Sequence, residues 1–346
     1  MSAAESACVR GHPPYAVVIL VLVALLAGSV VAGLAVGSVA VPPGEVLKAL
    51  LQQPVAPQYQ SIVMQARAPR VLLGAVVGAG LGVVGMALQA LVRNPLADPY
   101  LLGVSSGASV GAVAVILTGA MVFGAASTSV AAFLGSLAAL VVVYLLSRAG
   151  GRITTTRLVL AGVAVAYVLS AVTSLMLILA RTGDQARQVL TWLLGGLGGA
   201  DWRSLWLPAA AVAAGVAVLL AQSRTLNVLL AGDEAAVTMG VDTNRFRVQM
   251  FILTSLITGT LVAVSGPIGF VGLILPHAMR LVVGSDHRRA LPATALAGAS
   301  FLVLADLAAR TLAAPQEIPV GVLTALCGGP FFLWLIRRDA RRAVAA

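Results

Sequence analysis

The chain has 346 residues, of which 60% are hydrophobic and only 10% are charged, and its mean hydropathy is +1.00. This composition has too much apolar surface for a soluble core, so we expect an all-α, polytopic membrane protein. The two cysteines, Cys8 and Cys327, predict neither a disulfide nor a thiolate metal site. The three histidines lack metal-ligand spacing, so no metal site is expected; they are His12, His277 and His287.

Long apolar stretches predict about ten membrane spans in one domain, 1–346. The charge-free candidates are Ala16–Ala40, Val71–Val92, Leu158–Ala180, Ser204–Ser223 and Ile318–Ile336. Two further stretches are too long for one span: Leu101–Leu146 should divide near Gly119–Gly124, and Val248–Met279 should divide at Gly266–Gly269. The last span, near Leu291–Leu312, contains two charged residues. An even number of spans places both termini on one side of the membrane.

Glycines recur at every fourth position in the second predicted span, at Gly74, Gly78 and Gly82. One face of this helix is therefore nearly bare of side chains, which lets another backbone approach closely. Two interpretations remain open. The face either packs against another helix of the same subunit or lines a solute path.

The distribution of basic residues predicts the orientation, because Lys and Arg accumulate in cytoplasmic loops. With the N-terminus inside, 15 of the 22 basic residues are cytoplasmic, among them Arg93, Arg157 and Arg245, while Lys48 and Arg187 are among the seven outside. We expect a cytoplasmic tail at 1–14, a retained first span and a cytoplasmic loop at 224–247. The net charge of +10 follows mostly from this topology and from contact with membrane lipid, so no nucleic-acid partner is expected.

Three polar segments mark the side predicted to be cytoplasmic. Prolines follow Asn94 and Asp98 directly and should form a rigid corner. The hydroxyls of Thr154–Thr156 can cap the next span. Residues Gly232–Gly240 have an acidic first turn and a terminal glycine, which is typical of a short helix. Its Ala, Val and Met face favours a protein partner, and a helix lying on the membrane surface is the alternative.

Together these segments resemble the FecCD-type permeases, the membrane subunits of bacterial type II ABC importers for iron-siderophores, haem and cobalamin. The resemblance covers nearly all of the chain after the first span. It depends on Arg67–Arg70, Gln89, Arg93–Pro99, Leu102–Ala108, Leu160–Val163, Gly266–Leu273, Pro276-His277, Asp286–Arg288 and Ile318–Gly321.

The resemblance implies a ten-helix permease in the bacterial inner membrane, paired with a second permease subunit, most simply as a homodimer. It also implies a periplasmic or lipid-anchored substrate-binding protein outside and two ATP-binding subunits inside. ATP and Mg would bind to those subunits, and this chain would carry no cofactor. The implied site residues are Arg67, Arg70 and Arg310 for docking of the binding protein; Asn94, Leu96, Thr155 and Thr156 for the cytoplasmic gate; and Gly232, Asp233, Glu234, Ala235, Ala236 and Gly240 for coupling to the ATPase.

Two other classes of protein compete with this interpretation. An ion-coupled secondary transporter needs ionisable groups within the membrane, and Asp306 is the strongest candidate. Arg310 lies four residues later, however, where it can neutralise Asp306 on one helix face. An intramembrane enzyme needs a catalytic group, and His277 has no evident catalytic partner. The chain also lacks a phosphate-binding loop, so we expect ATP hydrolysis on a separate subunit.

The cargo is predicted only as a class, a bulky metal chelate. Ferric siderophore or haem ranks first as the commoner cargo of such permeases, and cobalamin is the alternative. The segment Trp192–Arg203 is similar to the cobalamin permeases in particular.

Overall fold

The computed structural model describes residues 13–37, 39–148 and 155–345, which form fifteen α-helices and no strand. Residues 1–12 of the expected tail, with Cys8, and Thr154 of the threonine segment lie outside the described residues. The helices are α1 Tyr15–Ala35, α2 Pro43–Leu50, α3 Pro57–Ser61, α4 Ala68–Val92, α5 Val104–Thr118, α6 Ser127–Ser147, α7 Thr155–Ile178, α8 Gly183–Leu193, α9 Trp202–Ala221, α10 Ser223–Leu230, α11 Asp233–Thr238, α12 Thr243–Ser265, α13 Val271–Val283, α14 His287–Thr311 and α15 Val320–Ala345.

Seven helices of the described chain are long and apolar enough to cross a membrane: α1, α4, α6, α7, α9, α12 and α14. Three shorter helical segments are also apolar, namely α5, α13 and the Val320–Trp334 part of α15. A π-helical turn, Ile62–Arg67, leads directly into α4, and a 3-10 turn, Pro99–Leu102, precedes α5. The fold is therefore all-helical and polytopic.

Both double-length apolar stretches divide where the sequence predicts. The first stretch is broken between Thr118 and Ser127, so that α5 and α6 form a hairpin. The second is broken at Gly266, whose positive φ of 62° ends α12, and α13 begins five residues later. Glycine adopts this backbone conformation without the steric cost that a side chain incurs.

The centre of the bundle consists of α4, α12 and α14, whose residues are mostly buried. The glycine face of α4 packs on α14, because a Cβ on Gly78 would lie 2.8 Å from the carbonyl carbon of Gly298 and 2.8 Å from Cβ of Leu302. A Cβ on Gly82 would likewise meet Thr294 of α14. This geometry matches the interpretation that the glycine face packs within one subunit.

The helices around this centre, α1, α6, α7 and α9, bury less than a third of the residues in their most apolar stretches within the single chain. Their exposed side chains are apolar, for example Leu20, Leu145 and Trp206. In a bilayer such surfaces need no protein cover, since lipid tails are as apolar as the side chains.

Candidate functional site

Polar contacts concentrate at the two ends of the bundle, which α4 connects. This helix has 25 residues and is about 37 Å long, with Arg70 near its start and Arg93 directly after its end. We call the end that holds Arg70 and Asp306 the Arg70 face, and the end that holds Arg93 and Asp233 the Asp233 face.

The first and last helices are both oriented so that the termini point to the Asp233 face. Tyr15 begins α1 next to Arg289, whose guanidinium lies 5.8 Å from the ring centroid. The other end of α1 lies at the Arg70 face. Helix α15 starts near Gly195, to whose carbonyl Gly321 donates a hydrogen bond, and runs away from the Arg70 face. The described ends of α1 and α15 are thus directed to the same face, while the even number of membrane spans stays a prediction.

At the Arg70 face, one carboxylate binds two guanidinium groups. The Asp306 carboxylate accepts a hydrogen bond from Nε of Arg70 at 2.9 Å and forms an ion pair with Nε of Arg310 at 3.1 Å. Arg70 also pairs with Glu317, Nη2 to Oε2, at 2.9 Å. The i,i+4 pairing of Asp306 with Arg310 is as the sequence predicts. Arg70 adds a second cation from α4, which no local sequence pattern indicated.

Arg67 fixes the end of α1. Its Nη1 donates to the carbonyl oxygens of Leu34 at 2.7 Å and Ala35 at 3.0 Å, and its Nη2 donates to that of Val39. The first two carbonyls belong to the last turn of α1 and have no partner within the helix. Arg67 therefore caps α1 from a distance of more than thirty residues in sequence.

Two of the three arginines implied for docking, Arg67 and Arg310, are buried and bonded within the chain. Arg70 is also mostly buried, with 12% of its side chain exposed, whereas Glu317 is half exposed. All four side chains still line a cavity of about 240 Å³ at this face. Docking of a binding protein here stays a prediction.

A larger cavity of about 680 Å³ lies beside α8. Its polar lining includes Asp184, Arg187 and Gln188 of α8, and Gly266 at the end of α12 also borders it. Helix α8 is held to the end of α5, since Gln185 donates to the carbonyl of Leu117 at 3.1 Å. Arg187 therefore lies at the same end of the bundle as the C-terminal end of α5.

At the Asp233 face, residues 93–98 form a tightly bonded loop. Arg93 ends α4 in the left-handed conformation, with φ of 52°. Asn94 then accepts from the backbone N–H of Leu96 at 2.9 Å, and Asp98 accepts from that of Tyr100 at 2.8 Å. Gln89 of α4 also donates to the carbonyl of residue 97 at 3.4 Å. The loop is therefore a structured corner, as its prolines predict.

Asn94 and Leu96, the proposed gate residues of this corner, are exposed, whereas Asp98 is half-buried. Burial raises the pKa of Asp98 to about 6, although the hydrogen bond from Tyr100 opposes this shift. The pKa of Tyr100 is also raised, mainly by burial. The Tyr100 hydroxyl donates to the carbonyl of Ile268 at 2.8 Å and accepts from its N–H at 2.7 Å, which ties the corner to the break between α12 and α13.

The threonine segment is described only in part. Helix α7 begins at Thr155, whose side chain lies outside the described residues, and Thr156 is exposed. Along α7, Gly162 lies against Gly103 at the start of α5, since a Cβ on Gly103 would be 3.1 Å from its carbonyl oxygen. The start of α7 is thus directed to the Asp233 face.

The short helix predicted from Asp233 to Gly240 is α11, Asp233–Thr238, and Gly240 follows it with φ of 80°. Ala236, one of the residues implied for coupling, has a fully buried side chain. The exposed apolar side chains are Val237 and Met239, at 59% and 65%. A surface for a partner would therefore be formed by these two residues, with Glu234 beside them.

Helix α10 is held to the start of α14 by Asn227. Asn227 donates to the carboxylate of Asp286 at 2.7 Å, and its oxygen accepts from the N–H of His287 at 2.9 Å. The hydrogen bond from Asn227 lowers the pKa of Asp286. No three His, Cys, Asp or Glu side chains of the described chain cluster as metal ligands, and the absence of a metal site stays a prediction.

The described helices form the fold of a polytopic membrane protein, with polar side chains collected at its two ends. The chain belongs to the FecCD transport family, whose model matches residues 20–338, and is thus an ABC transporter permease.

Its similarity to curated proteins extends over most of their length. It is 48% identical to the cobalamin import permease BtuC of Halobacterium salinarum, over 85% of this chain and 78% of that protein. It is 44% identical to the hemin permease HmuU of Yersinia pestis, over 80% and 84%. An uncharacterised ABC permease of Bacillus subtilis, YvrB, is 42% identical over 91% and 92%.

Two solved structures share the fold. One is an inward-facing structure described as a metal-chelate type ABC transporter, with a TM-score of 0.81 and 31% identity over 94% of this chain and 99% of that chain. The other is PsaBC from Streptococcus pneumoniae in complex with Fab, with a TM-score of 0.52 and 16% identity over 84% and 94%, which indicates the fold alone.

Proposed function

We propose that this chain is the membrane-spanning permease subunit of an ATP-driven importer for a metal chelate. The family match across residues 20–338 carries this proposal. The 0.81 TM-score against a metal-chelate type ABC transporter supports it independently of the curated relatives.

We further propose ten crossing segments, made up of the seven long helices and the three shorter apolar ones. Both termini and the Asp233 face would lie in the cytoplasm, at the bacterial inner membrane. Two copies of the chain would enclose the path, two ATP-binding subunits would bind inside, and a substrate-binding protein would bind outside. The common face of the terminal helices supports an even number of crossings, and the distribution of basic residues supports the orientation.

The two faces then take separate roles. The Arg70 face would bind the binding protein through Arg70 and the half-exposed Glu317. The buried Arg67 and Arg310 would stabilise the helix ends beneath this surface. The 93–98 loop, with Thr155 and Thr156, would narrow the path at the cytoplasmic side. The remaining proposed element is α11, which would contact the ATPase through Val237 and Met239; ATP and Mg would bind to that subunit.

The cargo we propose is a metal held in a macrocycle, as in cobalamin or haem, because the relatives named above carry those two names. Ferric siderophore, which the sequence analysis ranked first together with haem, serves as the comparison substrate. A strain lacking this gene should lose uptake of radiolabelled cobalamin or haem and regain it with the intact gene. Loss of ferric-siderophore uptake alone would contradict the macrocycle proposal.

An ion-coupled secondary transporter is the competing function. Its candidate carboxylate, Asp306, already binds two guanidinium groups, which favours a structural role. The purified transporter should import cargo into liposomes with ATP and no ion gradient. Import driven by a proton or sodium gradient without ATP would overturn the proposed function.

A further inference from the structure

The carboxylate that begins α11 also contacts the 93–98 loop. Oδ1 of Asp233 lies 3.3 Å from Nη2 of Arg93 and 2.6 Å from Nη2 of Arg247. These two arginines belong to different elements, since Arg93 opens the 93–98 loop and Arg247 lies in the second turn of α12. A single oxygen thus joins three segments that are distant in sequence.

The two ion pairs differ in burial. Arg247 has only 9% of its side chain exposed, and within the described residues its Nε has no hydrogen-bond partner. A buried guanidinium depends strongly on its carboxylate, so this pair should hold α11 firmly on α12. The Arg93 side chain is 42% exposed, so its pair with Asp233 is weak in isolation and can break and re-form.

The residues around Asp233 would let a movement of α11 reach the 93–98 loop through the ion pair with Arg93. Gly232 precedes Asp233 with φ of 113°, and a Cβ there would lie 3.7 Å from Nη1 of Arg93, so the Arg93 guanidinium reaches the residue that precedes α11. The 93–98 loop is itself held by the hydrogen bonds of Asn94 and Asp98. A displacement applied at Arg93 would therefore move the loop as a unit.

We propose that Asp233 is a positioning residue that links α11 to the 93–98 loop through Arg93, with Arg247 as its fixed anchor. The ion pair transmits movement of α11 to the loop that carries Asn94 and Leu96. This inference rests on the proposed function in assigning α11 to the ATPase side and the loop to the gate. The ion pair between Arg93 and Asp233 is formed within this chain and does not depend on that assignment.

The first test measures the contact without transport. Hydrogen exchange of residues 93–98 should increase in purified Asp233→Asn and Arg93→Gln variants, and Asp233→Glu should restore most of the protection. Arg245→Gln is the matched control, because Arg245 is exposed and lies two residues before Arg247 on the same helix. Exchange that changes only within residues 233–240 would overturn the proposed link.

The second test measures coupling in the assembled transporter, reconstituted in liposomes with its ATPase and binding protein, and supplied with labelled cobalamin or haem. Asp233→Asn and Arg93→Gln should each raise the ATP hydrolysed per cargo molecule, by about fivefold or more, the range of ordinary coupling energies. Both variants break the ion pair between Arg93 and Asp233, and Asp233→Asn also breaks the one with Arg247, so the double variant should be no worse than Asp233→Asn alone. A ratio that stays at the wild-type value, or effects that multiply, would overturn the proposal.

The two tests separate this inference from the proposed function. If the wild-type complex imports neither compound, the proposed cargo fails, and the exchange experiment still decides the link between Asp233 and the loop. If import is normal and exchange of the loop is unchanged in Asp233→Asn, the link fails while the proposed function stands.

Discussion

The packing of α4 on α14 predicts that Gly78→Ala destabilises the protein. The new Cβ would lie 2.8 Å from both the carbonyl carbon of Gly298 and Cβ of Leu302, whereas ordinary contact begins near 3.4 Å. The carbonyl oxygen of Gly298 would be closer still, so the helices must separate locally by more than about 0.6 Å. Because the obstructing atoms belong to a helix backbone and a Cβ, no flexible side chain can move aside.

Overpacking of this kind typically costs about 1–3 kcal/mol. Replacement of glycine by alanine inside a helix recovers about 1 kcal/mol through propensity, so a net loss of up to about 2 kcal/mol is expected. The measurement is the unfolding free energy of the purified protein in detergent, followed by tryptophan fluorescence.

The matched control is Gly28→Ala in α1, where a Cβ would meet no atom of the described chain within 4 Å. This variant should be as stable as the wild type or slightly more stable, because only the propensity effect acts on it. If Gly78→Ala proved as stable as Gly28→Ala, the reasoning from close backbone contact would be refuted.

Three further predictions concern charge and topology. Asp306→Asn should destabilise the protein by about 3–5 kcal/mol, because it leaves the buried guanidinium groups of Arg70 and Arg310 without their shared carboxylate; unfolding in detergent measures this, and an unchanged midpoint would contradict it. The raised pKa of Asp98, about 6 against an ordinary value of 3.8, means that its contribution to stability is complete below about pH 4 and is lost as the pH rises through 6. Asp98→Asn should flatten the dependence of the unfolding midpoint on pH in this window, and equal slopes in both proteins would argue against the shift. A cysteine at position 187, in a background without the native cysteines, should react with an impermeant thiol reagent in intact cells, and reaction only after the membrane is opened would reverse the proposed orientation.

The sequence predicts the elements of this fold well where local backbone chemistry decides. Glycine and proline interrupt apolar runs, so the breaks after α5 and after α12 appear where expected. The glycine spacing of α4 likewise indicated a close helix contact, and the capped corner at 93–98 followed from its two prolines. These features depend on neighbouring residues alone.

The partners of individual side chains were not predictable in the same way. In a membrane protein, residues that face lipid and residues that face other helices are equally apolar, so periodicity does not tell which face is buried. The capping of α1 by Arg67 was missed because its carbonyl partners lie more than thirty residues away in sequence. The six residues of α11 are too few for periodicity to show that Ala236 faces inward. Nothing near Arg247 in sequence marks its pairing with Asp233.

The close contact between α4 and α14 also has a mechanical consequence. Two helices whose backbones touch at Gly78 and Gly298 cannot slide past each other easily, so they should tilt as one stiff lever. This lever is about 37 Å long, and it carries the Asp306 ion pairs near one end and the 93–98 loop at the other. A tilt of only about 5° about one end displaces the opposite end by roughly 3 Å, close to the width of a hydrogen bond. Small rotations at one face could thereby open or close a contact at the other without any helix changing its internal structure.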